Sequence, residues 1–219
     1  MADNKDSKNK DKDLATKERL VKTSRELFAQ KGFEASSVKE IAENADVNVA
    51  LVSYHFGGKE GLYHACFNAF VDEWTNFLET KILRPTSNDD FRFRLRLLIE
   101  YMIDDNLKNP DACQIMRREI ENGNSHASEV FQDIAFQFFD KVAGFIRSAQ
   151  KQGYLRSDIH AMDICSTFFG GIQHTLRMNH MRKKMQNENI FDQKVRERYV
   201  HAILEMFLNG MSPEKEGKG

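Results

Sequence analysis

The sequence predicts an all-α protein in which a small N-terminal group of helices precedes a larger helical region. Only 3 prolines and 12 glycines occur among 219 residues, which favours long helices over a turn-rich β protein. From Asp89 onward, apolar residues recur at the spacing of helices that each bury one face. Between Ser37 and Leu62, start and turn signals instead predict two short helices and the beginning of a third.

The N-terminal residues predict a polar tail and then a first helix. Residues 1–15 are mostly Asp, Asn, Lys and Ser, with almost nothing to bury, so we expect a disordered tail. The first helix is expected from Thr16, which can cap its start, to Gln30. Gly32 then provides a C-terminal cap, and Phe33 folds back into a small core.

The next stretch contains two helix starts separated by a turn. Ser37 and Glu40 have the spacing of a capping box, which predicts a helix start. We expect this helix to end near Ala45 and Asp46, because Asp tolerates a left-handed turn better than most residues do. Asn48 can cap the following helix.

The second short helix has an outward face that is small and uncharged. Val52 and Phe56 are expected to face the core. The residues left outside are Asn48, Val49, Ala50, Ser53 and Tyr54. A solvated helix face usually carries Lys and Glu, whereas a face that enters the major groove of DNA needs small residues and short hydrogen-bonding groups. The alternative, a helical hairpin inside an ordinary core, gives no reason for this composition.

The residues after this helix complete a predicted DNA-binding surface. Gly57 and Gly58 end the helix, and Lys59 opens the next one, where its charge and the free backbone N–H groups can meet a phosphate. The predicted DNA-contacting residues are Ser37, Lys39, Asn48, Val49, Ala50, Ser53, Tyr54, His55 and Lys59. The polar tail is a candidate minor-groove arm. A solubilising role is favoured, because its acids nearly cancel its lysines.

Composition limits the other classes of function. The formal net charge is −1, so a positive surface must come from the placement of cations rather than from their number. Cys66, Cys113 and Cys165 are widely separated and odd in number, which argues against a disulfide framework or a cysteine zinc site. The histidines are scattered, and no nucleophile–base pair or phosphate loop occurs. We therefore expect no metal, no cofactor and no enzymatic activity. The lack of a signal peptide or membrane span predicts a cytoplasmic protein with no membrane partner.

The stretch Lys17–Leu62 resembles the DNA-binding domain of the TetR family of transcriptional repressors. The residues that carry the resemblance are Leu27, Phe28, Gly32, Phe33, Ser37, Val38, Ile41, Ala42, Val47, Tyr54, His55, Phe56, Lys59, Glu60 and Leu62. The sequence departs from the family at Asp46, where Gly is usual, and at Ser53, where Tyr is common.

The resemblance implies a domain organisation and a mode of action. It implies a three-helix helix-turn-helix DNA-binding domain over 16–62 and a larger α-helical ligand-binding and dimerisation domain over 63–210, followed by a disordered tail at 211–219. It also implies a homodimer that binds a near-palindromic double-stranded DNA operator and is released by a small-molecule effector, which makes a repressor the leading hypothesis. The helix that begins at Lys59 is expected to continue to about Leu83 and to link the two parts.

The family commonly binds its inducer between the helices of the larger domain. The resemblance therefore implies an inducer pocket formed by Phe67, Phe70, Trp74, Tyr101, Met102, Met116, Arg117, Phe131, Phe138 and Gln173. For any one of them, plain core packing is the competing interpretation. The last two long helices resemble the family's dimer-forming pair. The implied interface consists of Phe168, Gly171, Ile172, Thr175, Tyr199, Ile203 and Met206. Here the competing interpretation is a tight contact within one subunit.

Two rival functions remain open at the level of sequence. One is a helical ligand carrier or enzyme that retains a vestigial DNA-binding domain. The other is a redox sensor that acts through Cys66, Cys113 or Cys165. Neither rival accounts for the uncharged outward face between Asn48 and Tyr54.

Overall fold

The computed structural model describes the backbone of residues 3–122 and 128–210, and the side chains of that range except those of 3–10, 69, 122 and 128–135. The described residues are helical, without a strand, as the sequence predicts. The helices are α1 (Asp3–Lys31), α2 (Val38–Asn44), α3 (Ala50–Phe56), α4 (Lys59–Phe77), α5 (Asn88–Lys108), α6 (Pro110–Asn122), α7 (Ser128–Lys151), α8 (Ala161–Arg177), α9 (Asn179–Gln186) and α10 (Gln193–Gly210). A π-helical turn, Leu78–Ile82, follows α4. The predicted disordered tail at 211–219 lies outside the described residues. In the described part of the chain, every helix is too short or too polar to cross a membrane.

The helix bounds differ from the predicted ones in three main places. Helix α4, expected to continue to about Leu83, ends at Phe77 and is followed by the π-helical turn. Helix α1 begins at Asp3 rather than at Thr16, so it includes residues that the sequence assigns to a disordered tail. Charged residues four apart along this segment can pair on the helix surface, as Asp13 and Lys17 do at 3.8 Å. The apolar spacing from Ile164 to Met181 predicts one helix that begins at Asp158 or Ala161, but the structure interrupts it at Met178, where α8 ends and α9 follows at once.

The chain divides into two compact units. The first contains α1, α2, α3, the residues of α4 up to Glu73, and α6. The second contains α5, α8, α9 and α10, the residues of α4 from Trp74, and those of α7 from Asp133. The first unit therefore includes a helix that follows α3 by more than fifty residues, which the local sequence patterns did not predict.

A compact aromatic core holds the first unit together. The rings of Phe28 and Tyr63 meet at right angles with their centroids 4.8 Å apart, and Phe33 lies 4.9 Å from the same tyrosine ring. Ile41 from α2 and Val52 from α3 are fully buried. Each of the two short helices thus contributes a fully buried aliphatic side chain to this core.

Helix α6 caps the C-terminal end of α1. Gln114 donates a hydrogen bond to the carbonyl of Ala29 at 2.9 Å, and Arg118 donates to the carbonyl of Phe28 at 3.1 Å. The last carbonyls of a helix have no partner within it, and they carry the negative end of its dipole, so an arginine is a favourable cap. In the same unit, the hydroxyl of Tyr63 donates to the buried carboxylate of Glu119.

The second unit has a larger apolar core between α5, α7, α8 and α10. Its largest fully buried side chains include Phe91 and Phe145, whose rings lie 5.0 Å apart. Buried Asn179 accepts a hydrogen bond from the backbone N–H of Ile190 at 2.9 Å and donates one to Asn189 at 2.9 Å. These two bonds fix the loop between α9 and α10.

Candidate nucleic-acid interface

Helix α2 begins as the sequence predicts. Ser37 occupies the N-cap position with an extended backbone, and its hydroxyl accepts a hydrogen bond from the N–H of Glu40 at 3.1 Å. Ser37 and the following Lys39 are both exposed, and the lysine side chain is 81% accessible. The start of α2 therefore presents a hydroxyl and a cation to solvent at the positive end of a helix dipole.

The turn between α2 and α3 depends on a left-handed residue at the predicted position. Asp46 has φ of 52°, and the N–H of Val47 closes the turn by donating to the carbonyl of Ala42 at 3.0 Å. Asn48 then accepts a hydrogen bond from the N–H of Ala50 at 2.8 Å, which satisfies a free donor at the start of α3. The predicted left-handed turn and the predicted cap are both present.

Helix α3 presents one small, uncharged and exposed face. Tyr54 is 77% exposed and Val49 is 47% exposed. Asn48, Ala50 and Ser53 are also exposed, whereas Val52 on the opposite side is fully buried. The structure thus brings together the five residues that the sequence assigns to the outward face.

His55 does not share this face. Its side chain is only 2% exposed, and its Nε2 lies 3.4 Å from a carboxylate oxygen of Asp13 in α1. One residue along a helix rotates the side chain by about 100°, which turns the position after Tyr54 inward. The inclusion of His55 among the DNA-contacting residues is therefore corrected: it packs between α1 and α3.

Glycines form the junction between α3 and α4. Gly57 caps α3 with φ of 74°, and Gly58 has φ of 130°. A Cβ added to Gly61, one turn into α4, would lie 1.8 Å from the carbonyl oxygen of Phe56. The backbones of the two helices approach so closely that only a residue without a side chain fits. Sequence reasoning overlooked Gly61, although a glycine inside a helix is itself a signal of close approach.

Lys59 is tied to the loop between α1 and α2. Its ammonium group lies 4.2 Å from the ring centroid of Phe33, and it donates to the carbonyl of Glu34 at 3.5 Å. The cation is half-buried beside the first turn of α4 rather than extended into solvent. It contributes positive charge at a helix N-terminus, at a position fixed by its contacts.

Comparisons with known proteins agree with this geometry. Residues 20–66 match the profile described as bacterial regulatory proteins of the tetR family, and residues 92–207 match the tetracyclin repressor-like C-terminal domain. The chain belongs to the TetR family. The transcriptional repressor NicS of Pseudomonas putida is 23% identical over 169 residues, 74% of this chain and 78% of NicS. The probable transcriptional regulator YttP of Bacillus subtilis is 45% identical over 67 residues, 31% of this chain and only 32% of YttP.

Solved structures of other regulators share the TetR fold. The ketosteroid transcriptional regulator KstR2 of Mycobacterium tuberculosis has a TM-score of 0.69 at 16% identity, with 90% of this chain and 95% of that chain covered. HlyIIR, a hemolysin II transcriptional regulator, has a TM-score of 0.59 at 23% identity, with 92% and 99% covered. These likenesses establish the fold of this TetR-family chain.

The residues that the TetR resemblance assigns to an effector pocket fall into both units. In the first unit, Phe67 and Phe70 are buried, and Met116 and Arg117 are half-buried. The members in the second unit are buried Met102 and half-buried Trp74, Tyr101, Phe138 and Gln173. The side chain of Phe131 lies outside the described residues. The buried Oε1 of Gln173 has no hydrogen-bond donor within the described residues.

A separate small cavity lies in the core of the second unit. Its walls are apolar and include Phe91, Phe145, Cys165 and Phe207. Its volume is about 10 Å³, which holds about one water molecule. This void is too small for an organic effector, and it does not include the residues that the TetR resemblance assigns to the pocket.

The predicted dimer residues of this TetR-family chain divide into core and surface. Phe168, Ile172 and Ile203 are buried within the second unit, so their assignment to the interface is corrected. Gly171 is exposed, and an added Cβ would meet no atom of the described residues within 4 Å, which argues against a tight contact at this position within one subunit. Met206 is 71% exposed.

Thr175 and Tyr199 are half-buried at the edge of this surface. The hydroxyl of Tyr199 lies 3.4 Å from the carbonyl of Gly171, which joins α8 to α10. Two residues of the predicted dimer set therefore remain exposed. They are Gly171 on α8, which has no side chain, and the apolar Met206 on α10.

The three cysteines are buried and unlinked. Burial raises the pKa of the Cys66 thiol to about 12 and that of the Cys165 thiol to about 11. The Cys66 thiol also lies 3.6 Å from the carbonyl of Val21. Redox-sensing cysteines are exposed and carry lowered pKa values, so these two residues have the opposite properties and the redox-sensor alternative is disfavoured.

Proposed function

We propose that this chain is a cytoplasmic transcriptional repressor that reads DNA with helix α3. The observation that carries the proposal is the exposed face of Asn48, Val49, Ala50, Ser53 and Tyr54, which is free of charge and opposite a fully buried valine. Small side chains allow the helix backbone to approach base edges in the major groove, and Val49 can contact the thymine methyl group. Ser53 and Asn48 supply short hydrogen-bonding groups.

Phosphate contacts are assigned to the helix starts that flank α3. Ser37 and Lys39 stand at the start of α2, and Lys59 opens α4. Helix N-termini present free N–H groups and positive dipole ends, both of which suit phosphate oxygens. Phosphate contacts at the start of α2 and at the start of α4 would fix the register of α3 in the groove. This placement supplies local positive charge in a chain whose formal net charge is −1.

A homodimer on a near-palindromic operator is the second part of the proposal. A helix-turn-helix protein that reads two half-sites needs a two-fold partner. The surface that supports it carries Gly170, Gly171 and Met206, all exposed in the single chain. Among the described residues, no atom lies within 4 Å of the position of a Cβ on either glycine, so a second helix can pack closely there.

A small-molecule effector is the third part of the proposal. The match of residues 92–207 to the tetracyclin repressor-like C-terminal domain supports a protein whose DNA binding responds to a small molecule. For the effector to release DNA, it must bind the DNA-free arrangement more tightly than the DNA-bound one. The rival class, a ligand carrier or enzyme with a vestigial reading domain, predicts effector binding without selective DNA binding.

Selection of bound duplexes from a random pool tests the proposal. We expect enrichment of a two-fold symmetric site, and we expect Tyr54→Ala to lower affinity for that site by about tenfold or more. His55→Gln, which changes the buried neighbour of Tyr54, serves as a comparison that should leave the selected sequence unchanged. Enrichment of no sequence by a folded wild-type protein would favour the carrier or enzyme.

A further inference from the structure

The first part of α1, residues 3–15, is connected to α3 by the side chain of Asp13. One carboxylate oxygen of Asp13 lies 3.4 Å from Nε2 of His55 on α3. The other oxygen lies 3.8 Å from the ammonium group of Lys17, one turn further along α1. A segment that the sequence assigns to a disordered tail is therefore in contact with the helix that carries the exposed, uncharged face.

The imidazole of His55 is held where a change in its charge has a large effect. Its side chain is 2% exposed, and its buried Nε2 has no hydrogen-bond partner among the described residues. The approach of Nε2 to the Asp13 carboxylate is therefore a close contact without the direction of a hydrogen bond. A full positive charge on the ring converts this contact into an ion pair.

The groups that surround this imidazole come from α1 and α3. From α1 they are the carboxylate of Asp13 and, through it, the cation of Lys17. From α3 they are the rings of Tyr54 and Phe56, with centroids 4.8 and 6.1 Å from that of His55. A phenol is uncharged near neutral pH, so Asp13 is the anion that can balance a charged imidazole here. An imidazole changes its charge between about pH 5 and pH 8.

We propose that Asp13 is a positioning residue for α3 and that it acts through the proton of His55. Protonation of the imidazole creates an ion pair that holds α3 against α1, and it also cancels the negative charge of Asp13. The inference rests on the proposed function in taking α3 as the helix that enters the DNA groove.

Binding of DNA favours the protonated pair for two reasons that act in the same direction. A helix is about 10 Å across, so the pair lies within about one Debye length of phosphates that approach the opposite face of α3 at 0.1 M salt. Those phosphates repel the carboxylate of Asp13 when the imidazole is neutral, and they do not repel the neutralised pair. The ion pair also fixes α3 before DNA arrives. Operator affinity should therefore rise as the pH falls from about 8 to about 6.

A double-mutant cycle tests the ion pair without DNA. The stabilities of the wild type, Asp13→Asn, His55→Gln and the double variant are measured by urea denaturation of the full-length protein, at one protein concentration and at two pH values. At about pH 5.5 the two substitutions should be coupled by about threefold in the unfolding equilibrium constant. At about pH 8.5 the coupling should fall below about 1.5-fold, because the imidazole is then neutral. Equal coupling at both pH values would overturn the proton-dependent pair.

Operator affinity tests the positioning role. A labelled duplex that carries the selected operator is titrated at pH 6 and at pH 8, with the salt concentration held constant. The ratio of the two affinities should be about fivefold larger in the wild type than in Asp13→Asn. Because Asp13 is half-exposed, this substitution leaves the buried core intact. Asp13→Glu restores a carboxylate and should recover most of the pH dependence. An equal ratio in the wild type and in Asp13→Asn would overturn the proposal.

Two matched variants show whether the effect is local. Asp11→Asn removes the same charge from an exposed position two residues earlier on α1, about 200° around the helix from Asp13. His180→Gln removes an exposed histidine from α9. Each should change the affinity ratio by less than about 1.5-fold. The same loss of pH dependence in Asp11→Asn as in Asp13→Asn would show a general effect of charge and would refute the positioning role.

The two measurements separate this inference from the repressor. Proton-dependent coupling of Asp13 and His55 in a protein that selects no duplex would refute the repressor and leave the ion pair standing. Selective DNA binding whose pH dependence is the same with and without the Asp13 carboxylate would refute the positioning role alone.

Discussion

Replacement of Gly61 tests the close approach that fixes α3 against α4. In Gly61→Ala the new Cβ would lie 1.8 Å from the carbonyl oxygen of Phe56. Ordinary carbon–oxygen contacts are about 3.3 Å long, so the two backbones must separate by about 1.5 Å. Both nearby core residues, Val52 on α3 and Leu62 on α4, are fully buried, so such a shift disturbs the core of the first unit.

The expected magnitude follows from two opposed effects. Overpacking costs up to about 3 kcal/mol, and the upper end applies because the obstructing atom belongs to the backbone. Alanine is favoured over glycine inside a helix by about 1 kcal/mol. Gly61→Ala should therefore lower the free energy of unfolding by about 2 kcal/mol. Operator affinity should fall as well, because the orientation of α3 depends on this junction.

Gly144→Ala is the matched control, because Gly144 lies inside α7 and its added Cβ would meet only the end of the Arg147 side chain at 3.8 Å. It should raise the free energy of unfolding by about 1 kcal/mol. The two variants should thus differ by about 3 kcal/mol in urea denaturation followed by circular dichroism at one protein concentration. Similar changes in both variants would refute the close approach at Gly61.

Three further predictions concern the first unit. Ser37→Ala removes the cap on the N–H of Glu40 and should cost about 1 kcal/mol of stability, measured by thermal denaturation; an unchanged midpoint would contradict the cap. Lys59→Ala should weaken binding to all duplexes alike and reduce the slope of log affinity against log salt by about one unit per site, whereas an unchanged slope would mean that this lysine contacts Phe33 and Glu34 but no phosphate. Because burial raises the pKa of the Cys66 thiol to about 12, thiol reagents at pH 8 should label it slowly in the native protein and rapidly in urea; fast native labelling would refute the buried thiol.

Local signals in the sequence predicted α2, the turn that follows it and α3 well. The cap at Ser37 and the left-handed turn at Asp46 depend on neighbours within a few residues, so the sequence contains all the information that they need. The outward face of α3 followed from helical spacing. His55 was misassigned because motif resemblance carries no direction for an individual side chain, and its inward turn comes from a contact with Asp13 on α1.

Contacts distant in sequence account for what could not be predicted. Arg118 and Gln114 reach carbonyls on α1 that precede them by 90 and 85 positions, and no periodic pattern indicates such bonds. Periodicity also cannot tell whether an apolar helix face meets its own core or another subunit. The family resemblance assigns Phe168 and Ile172 to a dimer surface, whereas they pack in the core of the second unit.

The position of α6 suggests how effector binding can reach the reading helix. Along the chain, α6 lies between α5 and α7, and most of those two helices belongs to the second unit. Helix α4 also passes from one unit to the other at Glu73–Trp74. A conformational change in the second unit can therefore be transmitted along the chain to the first unit through α4 and through α6.

The hydrogen bonds of α6 set the scale of that coupling. The bonds from Arg118 and Gln114 to the end of α1, and that from Tyr63 to Glu119, each contribute about 1 kcal/mol, with more for those that involve a charged group. An allosteric change in affinity usually needs about 1–3 kcal/mol. If two such bonds are present in the DNA-bound arrangement and absent from the DNA-free one, their loss corresponds to a change in operator affinity of about tenfold or more. Because α4 carries both Tyr63 and Gly61, a displacement that breaks the bond to Glu119 also acts on the junction that orients α3.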